Sequence, residues 1–115
     1  MNDSTVSSCT NSNRFGLKAK HIAAIRNAFS QYPSIEQVIL YGSRAKGNYR
    51  TGSDIDLTIK TKGKAEDNLL FNVIGTLDDL DLIYQMDVSI FDWIENKSLV
   101  EHINRVGVVF YNAKE

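Results

Sequence analysis

The stretch 41-YGSRAKGNYRTGSDIDLTIK-60 decides how this chain reads. Its second half alternates: Ile55, Leu57 and Ile59 share one face of a strand, while Asp54, Asp56 and Thr58 share the other. The apolar face lies against a core, so the opposite face carries two carboxylates in a row. The first half closes another apolar run, 35-IEQVILY-41, at Gly42 and Ser43. That run is β-branched and aliphatic enough for a largely buried strand. Residues 43–48 suit one short helical turn that Gly47 can close, and 48-NYRTGS-53 is turn chemistry. A Gly-Ser bend and a pair of acids therefore stand at neighbouring strand ends.

Outward from this pair the periods change. Upstream, Ile22, Ile25 and Phe29 recur at helical spacing within 17–31, and Pro33 ends the pattern. Downstream, Lys62-Gly63-Lys64 is a turn, and Leu69, Leu70, Val73, Ile74, Leu77 and Leu80 predict a helix near 66–80, with Gly75 as an unfavourable interior residue. A third strand is expected over 85-QMDVSIF-91. A last helix is expected over 98–105, with Ser98 and Glu101 as a capping box and Gly107 as its C′ stop. The strand 108-VVFY-111 ends the chain's regular structure.

The bulk numbers fit one domain. The chain has 115 residues, 43% hydrophobic and 23% charged, which is ordinary globular composition. Residues 1–14 are rich in Ser, Asn and Thr and hold too little apolar surface to offset their ordering entropy, so a disordered tail is expected before a single domain over 15–115. A net charge of -1 gives no bulk attraction to nucleic acid, and none is expected to bind directly. Cys9 stands alone, so no internal disulfide forms, and a free thiol suits the reducing cytoplasm. No secretory leader and no membrane-length apolar run is legible, so no membrane association is expected.

Asp87 opens the third strand, and if that strand neighbours the second, three carboxylates converge. Two unit charges about 4 Å apart repel by roughly 4 kcal/mol at an effective dielectric near 20. Either one acid holds its proton, or a hard cation sits among them, Mg²⁺ above all. Gly42 lets a ligand approach the backbone, the first amides of a short helix at Ser43 face an anion, and Arg44 and Lys46 add positive charge for a triphosphate. Competing acids and motifs fail on position. Asp92 has the opposite parity to Asp87, and Asp79-Leu80-Asp81 sits at a helix end where its members do not share a face. Asp54 opens no calcium loop, since residue twelve would be Ala65, and Gly42 to Gly47 is no Walker loop, since Asn48 and Tyr49 follow. His21 and His102 have no visible companions, and Tyr84 and Trp93 read as packing.

The pattern Gly42-Ser43, ten intervening residues, Asp54-Ile55-Asp56 and a later strand-borne Asp87 resembles the nucleotidyltransferase superfamily of DNA polymerase beta. With "MDVSIFDWIENKSLVEHINRVGVVFY" it is similar to the minimal nucleotidyltransferases (MNT proteins), the antitoxin half of HEPN–MNT toxin–antitoxin pairs. The resemblance implies the α+β nucleotidyltransferase fold, a small mixed sheet with helices packed against it, and catalysis by Asp54, Asp56 and Asp87, which would hold two Mg²⁺ ions. It implies ATP as substrate, with Gly42, Ser43, Arg44 and Lys46 positioning the triphosphate. It further implies transfer of AMP to a tyrosine of a helical HEPN toxin as partner. Two alternatives remain open at this point: a non-catalytic module that silences a helical protein by contact, and nucleotide transfer to a small-molecule hydroxyl.

Overall fold

A computed structural model describes residues 14–50 and 52–114. After a short 3-10 turn at Arg14–Gly16, helix α1 spans Ala19–Ser30, strand β1 Ile35–Tyr41 and the one-turn helix α2 Ser43–Lys46. Strand β2 follows at Ile55–Thr61, helix α3 at Leu69–Asp78, strand β3 at Met86–Ile90, helix α4 at Lys97–Val106 and strand β4 at Val108–Asn112. The four-stranded sheet has the order β3-β2-β1-β4. β1 runs antiparallel to both β2 and β4, while β2 and β3 run parallel. This is the expected α+β architecture on a mixed sheet. The expected tail over 1–14 lies, apart from Arg14, outside the described residues.

The period-two pattern of β2 explains the layering. Ile55, Leu57 and Ile59 are fully buried and face the same side as Val38 and Leu40 of β1, their register partners across the ladder. Against them pack Ile22, Ile25 and Phe29 of α1 and Leu69, Val73 and Leu77 of α3. Burying each such side chain contributes roughly 1.5–3 kcal/mol. The two helices are also clasped by Tyr32, whose hydroxyl donates to the carbonyl of Asn72 at 2.9 Å. The other face of the sheet is covered only in part: Ile39 and Tyr41 meet Ile103 of α4, with Phe91, Ile94, Leu99 and Val106 around them.

Several ends differ from the sequence expectation. Asp54 stands just ahead of β2 rather than inside it. α3 is shorter than 66–80, because the chain turns after Asp79 with Leu80 N–H bonded to Leu77 O at 3.1 Å. α4 starts earlier than expected and is capped by Asn96, whose Oδ1 accepts from Leu99 N–H at 3.2 Å; Ser98 and Glu101 lie inside the helix and form no capping box. Gly107 does follow α4, but in extended conformation (φ -66, ψ 146). Its small size serves packing, since a Cβ there would lie 2.5 Å from Ile39 Cγ2. Gly75 is the opposite case. It is exposed in the middle of α3, nothing lies within 4 Å of where its Cβ would be, and it weakens the helix by roughly 1 kcal/mol relative to Ala. Among the described residues no helix is long and apolar enough to cross a membrane.

Candidate active site

The register of the sheet builds the site. Tyr41 of β1 pairs with Asp56 of β2, and Asp56 pairs with Asp87 of β3. Residues directly opposite across a ladder share a face, so these three form one row on the side away from the main core. Asp54 precedes Asp56 by two positions and follows the same alternation. In the next row Ser89 Oγ donates to Thr58 Oγ1 at 2.9 Å. Asp54 and Asp87 are exposed and Asp56 is half-buried.

Electrostatics reports the crowding. The Asp56 carboxyl is raised above the usual carboxylate value, first by burial, then by the charges of Asp87 and Asp54, with His102 acting in the opposite sense. The Tyr41 phenol is also raised, mainly by burial, with further contributions from Asp56 and Asp87 and an opposing effect of hydrogen bonding with Ser89. Asp87 and Asp54 thus both act on Asp56. Among the described residues, however, no group of three or more His, Cys, Asp or Glu side chains is placed so that it could hold a metal ion.

The Gly-Ser bend closes over this row from β1. Gly42 adopts φ 78 and ψ -156, a region essentially reserved for glycine. A Cβ at Gly42 would collide with Asp56 Oδ2 and lie 3.3 Å from its Cγ. The bend and the acid are thus in direct contact, and only glycine permits it. Ser43 then opens α2, which Gly47 (φ 87) closes as expected, with Gly47 N–H bonded to Ser43 O at 3.0 Å. Lys46 is exposed on this turn.

Arg44 is placed differently from the expectation of a phosphate ligand. It is 3% exposed and points into the loop layer. Nε and Nη2 donate to the carbonyl of Ser53 at 3.1 and 2.8 Å, and Nη1 donates to the carbonyl of Phe15 at 2.8 Å. Its guanidinium lies over the rings of Tyr49 at 5.4 Å and Tyr84 at 5.5 Å. Tyr84 in turn meets His21, with Nδ1 and the phenol oxygen 3.0 Å apart. Arg44 thus braces the residue before Asp54 rather than facing a ligand. Replacement by Met is expected to destabilise the fold by about 2–3 kcal/mol, because the hydrogen bonds of a buried cation are lost and their carbonyl partners stay dry. Urea unfolding checks this.

The sequence also passed over residues that the structure brings to the row. Tyr41 read as core, yet it is the β1 member beside Asp56. His102, set aside as companionless, meets Tyr41 edge-on, with centroids 6.4 Å apart at 82°. Thr58 was on the acidic face by parity, but its partner Ser89 needed the β2–β3 register.

A mixed sheet whose first hairpin lays a Gly-Ser bend against Asp56, with Asp87 in register on the parallel strand, is the nucleotidyltransferase architecture. The chain belongs to the Polymerase beta nucleotidyltransferase family, whose model matches residues 23–115. Solved structures share the fold. A chain of a toxin–antitoxin complex crystallised with AMP-PNP matches at 17% identity and TM-score 0.64, over 79% of this chain and 73% of that one. A proposed nucleotidyltransferase from Sulfolobus solfataricus matches at 24% identity and TM-score 0.54, over 94% and 90%. A chain from the complex of a tri-AMPylated Shewanella oneidensis HEPN toxin with its MNT antitoxin matches at 17% identity and TM-score 0.53, over 93% and 74%. No curated protein sequence matches the chain.

Proposed function

We propose that the protein transfers AMP from ATP to a hydroxyl of a partner protein, a tyrosine of a HEPN-type toxin, and acts as its antitoxin. The observation that supports this best is the contact of Gly42 with Asp56, in register with Asp87. It sets a bend suited to a triphosphate beside a concentration of negative charge that a cation would relieve. The chemistry of the donor set suits magnesium, since Asp54, Asp56 and Asp87 offer only carboxylate oxygens, which would draw closer to hold it; the Asp56 carboxyl is raised first by burial and then by the charges of Asp87 and Asp54. Two such ions, when bound, would neutralise phosphate charge and make the attacking hydroxyl more acidic.

The chain's own groups do the rest. The amides at Gly42 and Ser43 and the Ser43 hydroxyl orient the triphosphate, and exposed Lys46 is within the same turn to lend charge. Arg44 holds Ser53, and through it the position of Asp54. The acceptor oxygen bonds to the α-phosphorus as the bond to the bridging oxygen breaks. Pyrophosphate leaves, and the hydroxyl proton passes to the exposed Asp87 carboxylate and on to water. The partly uncovered sheet face leaves room for an acceptor brought by another chain.

Incubating the protein with a HEPN-type toxin, ATP and Mg²⁺ should raise the toxin's mass by whole adenylyl units, read by intact-protein mass spectrometry. A toxin that is bound but unchanged in mass would overturn the reading. Full neutralisation by the Asp54→Ala/Asp56→Ala double variant, at equal binding, would assign silencing to contact instead.

A further inference from the structure

The outer face of α3 and the free side of β3 carry large apolar groups in water. Phe71 is 79% exposed and Ile83 89%. They belong to one surface. Phe71 and Ile74 stand one turn apart on α3. Ile74 and Ile83 both line a cavity of about 320 Å³ between the end of α3 and the start of β3, with Leu77, Met86 and Val88 at its walls. β3 has a neighbouring strand on one side only. Single exposed apolar residues need no explanation, but a contiguous row beside an open strand edge marks a contact surface.

Charge says what would fit it. Residues 65–96 contain no lysine, arginine or histidine. Glu66, Asp67, Asp78, Asp79 and Asp81 are all exposed and frame the row from both ends of α3. Asp78 and Asp79 stand at the helix end that favours cations, so the isolated helix gains nothing from them. Gly75 adds an independent observation. It sits beside Ile74 and weakens α3, yet no neighbour in this chain needs the space. A bare patch of backbone there lets a second chain approach closely.

We propose that this face, with Phe71, Ile74, Gly75 and Ile83 inside an acidic frame, docks the acceptor protein through apolar side chains ringed by lysine and arginine. The proposal rests on the transfer reading and names where its partner binds. β3 links the two: Met86 and Val88 line the cavity, while Asp87 between them belongs to the acidic row on the opposite face. A partner seated at this edge reaches around one strand to the site.

Calorimetric titration of the HEPN-type toxin into the protein tests this. Phe71→Ser and Ile83→Ser should each weaken binding about tenfold or more, as central apolar anchors do. Asp78→Lys with Asp79→Lys should do the same and abolish the weakening by salt that wild type shows. Gly75→Ala should raise the melting temperature of the free chain and still weaken binding. Val109→Ser, an exposed apolar position on β4, should bind as wild type does. Wild-type affinity in all the face variants would overturn this inference and leave the transfer reading standing. Failure of wild type to bind the toxin would overturn both. A dimer of the free chain that the same variants break would assign the face to a second copy and overturn the inference.

Discussion

Asp56→Asn should abolish transfer and yield a more heat-stable protein. Asp56 is raised by burial and by Asp87 and Asp54, so its charge is unwelcome in the metal-free fold. Between the usual carboxylate value and its raised folded value, the native state keeps a proton that the unfolded chain has released. Stability therefore falls as pH rises through that window, and the cost persists above it. Asparagine keeps the shape without the charge. In EDTA its melting temperature should exceed wild type at neutral pH, and the part of the pH slope due to this carboxyl should vanish. Transfer should drop by roughly 10³-fold, the scale on which one preorganised electrostatic element is felt. Mg²⁺ should raise the wild-type melting temperature and have a much smaller effect on the variant. An Asn variant that melts below wild type, or that transfers AMP at close to the wild-type rate, contradicts this account.

Gly42→Ala should cost both stability and activity, for two separable reasons. The backbone at φ 78 and ψ -156 is strained for any other residue by about 1–3 kcal/mol. The new Cβ also strikes the Asp56 carboxylate, which must swing away from the row. Gly47→Ala is the control: its φ of 87 is also left-handed, but nothing lies within 4 Å of its Cβ. That variant should lose only about 1 kcal/mol. Denaturant unfolding of Gly42→Ala should show the larger loss, and the double variant Gly42→Ala/Asp56→Gly should regain part of it while remaining inactive. Equal losses at positions 42 and 47 would mean that the contact with Asp56 contributes nothing.

The elements that announced themselves were those with an unmistakable period. β1 matched its expected span because a short apolar run stops at a glycine, and the faces of β2 followed from strict alternation. The pairing of Asp56 with Asp87 was visible only as a condition, since no local pattern states which strands are neighbours. The β1–β2 register brings Tyr41 to the row and the parallel β2–β3 register brings Ser89, and neither carried a chemical signal of its own. Arg44 read as a ligand because it follows the Gly-Ser bend; its burial comes from Phe15, Ser53 and two tyrosines, one of them forty positions away in sequence. Asn96, the observed cap of α4, carried no legible signal, because a capping box is a recognisable string and an asparagine cap without a second partner is not.

Parallel pairing of β2 with β3 has a further consequence for synthesis. Two parallel strands cannot be joined by a tight hairpin, and here the crossover runs through the whole of α3. A nascent chain emerging from the ribosome exposes its Gly-Ser bend and first two aspartates well before the third acid is translated. Two of the three acids then wait beside a strand edge that has no partner yet. If transfer is its function, competence is gained in one event, when β3 pairs with β2, rather than by degrees.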